Sequence, residues 1–146
     1  MPQARTFSQS AAGQFLSRGP VSPRVHGVLD YLLAATLIAG PLVLNFADSV
    51  ATVFVLIVGA AAAVLAVGTA WSTGIVRVIP PIVHGALDIG ATIALIAAPF
   101  VLGFSQDGIA TGFCLIVGVG GLVATLMTRF VSDLPVSGAV SAQPAF

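Results

Sequence analysis

The amino-acid sequence predicts an all-α membrane protein of four transmembrane helices, arranged as two tandem, parallel-repeated hairpins. Three observations carry this. First, 58% of the 146 residues are hydrophobic and only 7% are charged, against about 25% charged in an ordinary soluble domain. Second, the ten charges are five Arg and five Asp, placed so that long apolar stretches separate them. Third, the two halves of the chain are copies of one another. With a mean hydropathy of +1.09, there is too little ionic surface to cover a water-facing globule. Composition therefore excludes a soluble enzyme domain, a basic nucleic-acid binder and a disordered chain.

The elements follow from the charge gaps. Residues 1–22 are polar, lack acidic groups and read as a disordered arm preceding an uncleaved first span rather than as a cleaved signal peptide. A span needs about 20 apolar residues, and the sequence accommodates helices at about 23–46, 49–71, 81–104 and 108–131. Repeat 1 is thus residues 23–71 and repeat 2 is residues 81–131, joined by a linker at 72–80. The tail, 132–146, is rich in small residues and is expected to be disordered. A transmembrane barrel would alternate apolar and polar residues in strands of about 10, and runs such as LIVGAAAAVLAV do not alternate.

All five Arg (Arg5, Arg18, Arg24, Arg77 and Arg129) fall on one side of this four-span chain, while the hairpin turns carry Asp48 and Asp107. The positive-inside rule then puts both termini and the 72–80 linker on the cytoplasmic side, and the absence of Lys with abundant Ala, Gly and Val points to a bacterial plasma membrane. Asp48 and Asp107 are placed to cap the helices that follow them. Trp71 falls where an interfacial aromatic is expected, at the end of the second helix. Cys114 lies inside the fourth span and reads as a buried, inert thiol.

The duplication is specific. Residues 25–46 (VHGVLDYLLAATLIAGPLVLNF) and 83–104 (VHGALDIGATIALIAAPFVLGF) share twelve of 22 positions at an offset of 58. One inserted residue later, Asp48, Ala51, Thr52, Phe54, Leu56, Ile57, Val58 and Gly59 recur at an offset of 59. His-Gly-x-Leu-Asp, with Pro fifteen residues after the His and Phe five further on, occurs twice. Two spans per repeat insert both copies the same way round, which implies a pseudo-twofold axis along the membrane normal.

The prolines of these repeats stand in Gly40-Pro41-Leu42 and Ala98-Pro99-Phe100, each followed by a short apolar stretch ending in Phe46 or Phe104. In this the chain resembles the SPW-repeat family of small bacterial membrane proteins, whose unit is a two-helix hairpin with Ser-Pro-Trp in its first helix. The resemblance spans about 23–131. Only the Pro of the motif is kept, and Ser and Trp are absent from both copies. The resemblance implies a multi-pass membrane protein and carries no biochemical activity with it.

Four residues form a possible intramembrane polar cluster: His26 and Asp30 in the first helix, His84 and Asp88 in the third. Each pair is spaced i, i+4 and shares a helix face. Counting at about 1.5 Å per residue puts Asp30 roughly 10 Å into its helix, near the membrane edge. A carboxylate in a bilayer is costly unless paired. The preferred reading is structural, with each Asp partnered by its own His or by the other repeat's His. The alternative is a proton- or cation-linked transport site. No metal site is expected, because no Cys or third ligand class joins the four.

Pro41 and Pro99 are expected to kink the first and third helices. Gly59, Gly108, Gly112 and Gly118 are expected to let helices approach closely, within the bundle or between copies. No P-loop, Gly-x-Ser-x-Gly, HExxH or CxxC motif is present. The sequence thus leads to a non-catalytic structural or accessory membrane protein without cofactor. Its expected partners are the lipid bilayer and a second copy or larger membrane complex, with no nucleic acid.

Overall fold

In the computed structural model, which describes residues 19–130, four helices follow one another: α1 (Pro23–Val43), α2 (Ser49–Gly68), α3 (Pro81–Val101) and α4 (Gly108–Leu126). No strand longer than an isolated bridge occurs among the described residues. The arm and tail expected at the two ends fall almost wholly outside them. All four helices are 19 to 21 residues long and apolar enough to cross a membrane, about 30 Å at 1.5 Å per residue. Large apolar side chains such as Leu32, Val43, Val64, Phe100 and Ile116 point outward, as lipid-facing residues do.

Local chemistry sets each helix start. Pro23 and Pro81 occupy first-turn positions, where a missing N–H costs nothing, and Ser22 Oγ accepts from Val25 N at 3.3 Å. Asp48 Oδ1 accepts from the amides of Val50 and Ala51, and Asp107 Oδ1 from those of Ile109 and Ala110. Such a cap is worth about 1 kcal/mol.

All four helices end earlier than the hydropathy pattern suggests, by three to five residues. The first helix of each hairpin stops because the chain turns left-handed at equivalent places, Asn45 (φ 53°) and Gly103 (φ 81°). Gly and Asn are the residues that tolerate this region. The second helices stop because the chain leaves to pair with the segment ahead of the other repeat. Ile79 bonds to Gly68 and Ala70, and Val21 bonds to Met127 and Arg129. These two pairings are equivalent under the 58/59 offset, so the end of each repeat is tied to the start of the other.

Within a hairpin the helices pack closely, α1 on α2 and α3 on α4, while the hairpins touch one another less. The buried core joins Leu37, Val55, Leu95, Phe46, Phe104 and Cys114. A Cβ at Gly59 would lie 2.9 Å from Leu37 Cβ, and one at Gly118 would lie 3.1 Å from the Thr92 carbonyl oxygen. These two glycines therefore permit the close pairing of each hairpin. Around Gly108 and Gly112, nothing among the described residues lies within 4 Å of a built Cβ. Helix packing within the chain does not use them. Pro41 and Pro99 are buried inside the last turns of α1 and α3, so a hydrogen bond is lost only just ahead of the helix end.

At the turn end of the bundle the symmetry breaks. Asp107 Oδ2 also accepts from Ala47 N at 2.8 Å and Asp48 N at 3.0 Å, linking the two turns. Asp107's own amide instead closes its turn onto the Phe104 carbonyl. The Ala110 amide, with those of Asp48, Ala47 and Ile109, holds the Asp107 carboxyl below the ordinary carboxylate range. A depressed folded-state value means stability present above the unfolded value and lost as pH falls through the folded one. Acidification below about pH 4 is therefore expected to loosen the turn end, and Asp107→Ala to lower stability by more than Asp48→Ala. Amide hydrogen exchange at residues 47, 48, 109 and 110 reads this. Unchanged protection at Ala47 and Asp48 in Asp107→Ala would contradict it.

Candidate functional site: a buried His–Asp quartet

At the opposite end, α1 and α3 each present their His and Asp to the other. The i, i+4 spacing puts both side chains of a pair on one face, and the two faces meet across the pseudo-twofold. His26 Nε2 lies 3.0 Å from Asp88 Oδ2 and 3.3 Å from Asp30 Oδ1. His84 Nε2 lies 2.9 Å from Asp88 Oδ2 and 3.2 Å from Asp30 Oδ2. Each imidazole thus faces both its own Asp and the other repeat's. His26, His84 and Asp30 are buried, and Asp88 is partly exposed.

These contacts are not equivalent hydrogen bonds. His26 Nε2 and Asp88 Oδ2 are well aligned. Among the described residues, His84 Nε2 and Asp30 Oδ2 have no aligned hydrogen-bond partner. At 2.9 Å only direction can fail, so the carboxylate oxygens lie beside the axis of His84 Nε2, not along it.

The far side of each ring decides its proton. Thr69 Oγ1 is 2.7 Å from His84 Nδ1 and 2.6 Å from the Leu65 carbonyl oxygen. Thr128 Oγ1 is 2.8 Å from His26 Nδ1 and 2.7 Å from the Ala124 carbonyl oxygen. A hydroxyl has one proton, and the carbonyl can only accept it. Each threonine therefore donates to its own helix and accepts from a His Nδ1–H. With Nδ1–H fixed, Nε2 is a lone pair in the neutral ring, whereas the 3.0 Å hydrogen bond from His26 Nε2 to Asp88 Oδ2 requires a second proton there and makes the ring an imidazolium.

Aromatic rings cover the quartet. Trp71 packs 4.9 Å from His84 and 5.3 Å from His26, and Phe130 packs 5.4 Å from His26. Trp71 and Phe130 stack on each other at 5.9 Å. Trp71 is 1% exposed, so it is not the lipid-interface residue expected from its position. It is part of the cover over the imidazoles. Gly85 makes room for this cover and Gly27 for the linker beside it. A Cβ on Gly85 would lie 2.7 Å from the Phe130 ring, and one on Gly27 would collide with Thr73 Oγ1. Tyr31 pins the same segment by donating to the Thr73 carbonyl at 3.1 Å.

On its other side the quartet borders a cavity of about 470 Å³ bounded by all four helices. Apart from His26, Asp30 and Asp88, its lining is aliphatic, with three threonines. Thr36, Thr92 and Thr125 each donate their hydroxyl to a backbone carbonyl of their own helix.

The four cluster residues expected from the sequence are thus brought together. The threonines and the aromatic cover were not anticipated. A signal for them exists: Thr69 and Thr128, like Trp71 and Phe130, are related by the same offset of 59. The prolines of the first helices close the far end of each hairpin and do not touch the quartet.

The family model for the SPW repeat domain matches residues 24–128. No curated protein and no solved structure matches the chain. The matched segment runs from the first turn of α1 to Thr128, which buttresses His26, and so holds both hairpins and the whole quartet. The duplicated two-helix unit, the proline near the end of each first helix and this match lead to one conclusion: the chain belongs to the SPW repeat family.

Proposed function

We propose that this small multi-pass membrane protein is a non-catalytic structural or accessory component of the bacterial plasma membrane, and that the His–Asp quartet is the clasp holding its two hairpins together. The observation carrying this reading is that His26 and His84 each contact both Asp30 and Asp88 across the repeat boundary. α1 and α3 otherwise share little, so the quartet concentrates the polar attraction between these two helices. The cavity supports the same reading, since its lining beyond the quartet is aliphatic and its hydroxyls are donated to their own helices. A proton or cation path across the membrane needs a continuous polar lining.

Both termini and the linker between α2 and α3 are cytoplasmic in this proposal, because Arg24, Arg77 and Arg129 lie at the quartet end and Arg5 and Arg18 precede α1 in the sequence. The clasp then sits near the cytoplasmic edge of the hydrocarbon. The protein works without a cofactor-driven reaction, through lipid and through association with a second copy or a larger membrane complex.

Proteoliposome flux tests it. Wild-type protein is expected to carry no proton or monovalent-cation flux above empty vesicles between pH 5 and pH 8. Asp30→Asn/Asp88→Asn is expected to lower the melting temperature in detergent and leave the flux unchanged. A pH-dependent flux in wild type that disappears in this variant would replace the clasp by the transport reading.

A further inference from the structure

We propose that the quartet is a binding site for one divalent transition-metal ion of the Zn²⁺ class, held by His26 Nε2, His84 Nε2 and one carboxylate oxygen each from Asp30 and Asp88. The proposal rests on the reading of the quartet as a clasp and names what closes it. The sequence offered no third ligand class beside His and Asp, but duplication makes one unnecessary, since two ligands per repeat complete a set of four.

Three independent features point to an ion. The first is the state of the imidazoles. Thr69 and Thr128 hold the proton of each ring on Nδ1, and a neutral ring then presents Nε2 as a lone pair. This is the arrangement by which metal-ligating histidines are oriented, with the other ring nitrogen donating to a fixed acceptor. Nε2 lone pairs facing two carboxylates repel unless positive charge stands between them, which either a second proton on each ring or one shared dication displacing those protons supplies.

The second feature is the orphaned pair of atoms. His84 is 1% exposed and Asp30 6% exposed. Among the described residues, His84 Nε2 and Asp30 Oδ2 have no aligned hydrogen bond, although they lie 3.2 Å apart. Buried polar atoms are rarely left so. Two buried polar atoms 3.2 Å apart that do not satisfy each other are left with a shared ion as a common partner.

The third feature is size and charge. One ligand atom from each of the four residues falls within 4.8 Å of the others. Zn–N and Zn–O bonds of about 2.0–2.2 Å in a tetrahedron put ligand atoms roughly 3.3–3.6 Å apart. The 2.9 to 3.3 Å His–Asp contacts, which involve both Asp30 oxygens, need a small outward movement, and the wider separations in the set, up to 4.8 Å, must close onto the ion. Two neutral imidazoles, two carboxylates and one dication sum to zero, the charge that a low-dielectric site tolerates best. Imidazole nitrogens favour Zn²⁺ and its transition-metal neighbours over Mg²⁺ or Ca²⁺, which take oxygen ligands. Trp71 and Phe130 shield one side, and the cavity beside Asp88 leaves the other open for entry.

The test uses the full chain in mild detergent, with any affinity tag removed and metal stripped by a chelator. Titration with Co²⁺ is expected to give the visible absorption of a tetrahedral site, saturating at one ion per chain and displaced by one equivalent of Zn²⁺. Zn²⁺ is expected to raise the melting temperature of the stripped protein. His26→Gln/His84→Gln, if folded by circular dichroism, is expected to lose the absorption. Should that variant fail to fold, X-ray absorption of the Zn²⁺-loaded wild type decides, with two imidazole nitrogens expected. No stoichiometric uptake, uptake unchanged in the folded variant, or an all-oxygen shell would overturn the site. A stability loss in Asp30→Asn/Asp88→Asn without metal uptake by wild type defeats the metal alone. Ion flux with metal bound defeats the clasp alone.

Discussion

Asp30→Ala is expected to lower stability by about 3–5 kcal/mol, the cost of breaking a buried charged set by removing one partner. The loss comes less from the missing attraction than from what stays behind. His26 and His84 keep their threonine hydrogen bonds and cannot turn to water, because Trp71, Phe130 and the helix faces enclose them. The informative companion is the fully apolar set, His26→Leu/Asp30→Leu/His84→Leu/Asp88→Leu. Replacing a buried ionic set by packed hydrophobic residues is often neutral or stabilising. The quadruple variant is therefore expected to unfold at a temperature close to wild type, while the single variant falls well below both. Thermal unfolding followed by far-ultraviolet circular dichroism in one detergent measures all three. A single-variant loss under about 1 kcal/mol, typical of exposed pairs, would mean that the quartet is not a buried clasp.

Trp71→Ala is expected to cost a further comparable amount, about 3–5 kcal/mol, as for other buried aromatic truncations. Trp71 lies against both imidazoles and against Phe130, so the truncation opens a cavity directly over the quartet and lets water reach it. Trp71→Phe is expected to retain most of the stability, since Phe130 already performs the equivalent task in the other repeat. Urea titration of the purified chain, read by circular dichroism for wild type and both variants, gives the ranking. Equal losses in Trp71→Ala and Trp71→Phe would show that ring packing is not what matters there and would turn attention to the indole N–H, which is buried without a hydrogen bond among the described residues.

Much of the architecture was legible in the sequence because it depends on local or additive properties. Four spans follow from summed hydropathy over about 20 residues, and helix caps follow from the residues beside them. The internal repeat follows from comparing the chain with itself. The shared faces of His26 with Asp30 and of His84 with Asp88 follow from 3.6 residues per turn. The repeat comparison could have gone further, since Thr69 and Trp71 recur as Thr128 and Phe130, but two matches at the ragged end of an apolar helix carry no weight until they are seen to meet the histidines.

Tertiary structure decided the rest. Whether each Asp serves its own His, its partner's or both depends on how near α1 and α3 stand, and no periodicity encodes that distance. Trp71 is the clearest case. Hydropathy places it at the rim of a helix, where aromatic side chains commonly face lipid, yet the chain path after Gly68 folds it inward, because Ala70 and Ile79 are hydrogen-bonded across the linker. Asp107, not Asp48, links the two turns because the longer second turn closes on itself and leaves its carboxylate to reach across. Local physical chemistry determined the membrane-spanning hairpins and which side chains share a face. Long-range packing decided which faces meet, which ring nitrogen each threonine holds, and that atoms of four polar side chains come within 4.8 Å of one another.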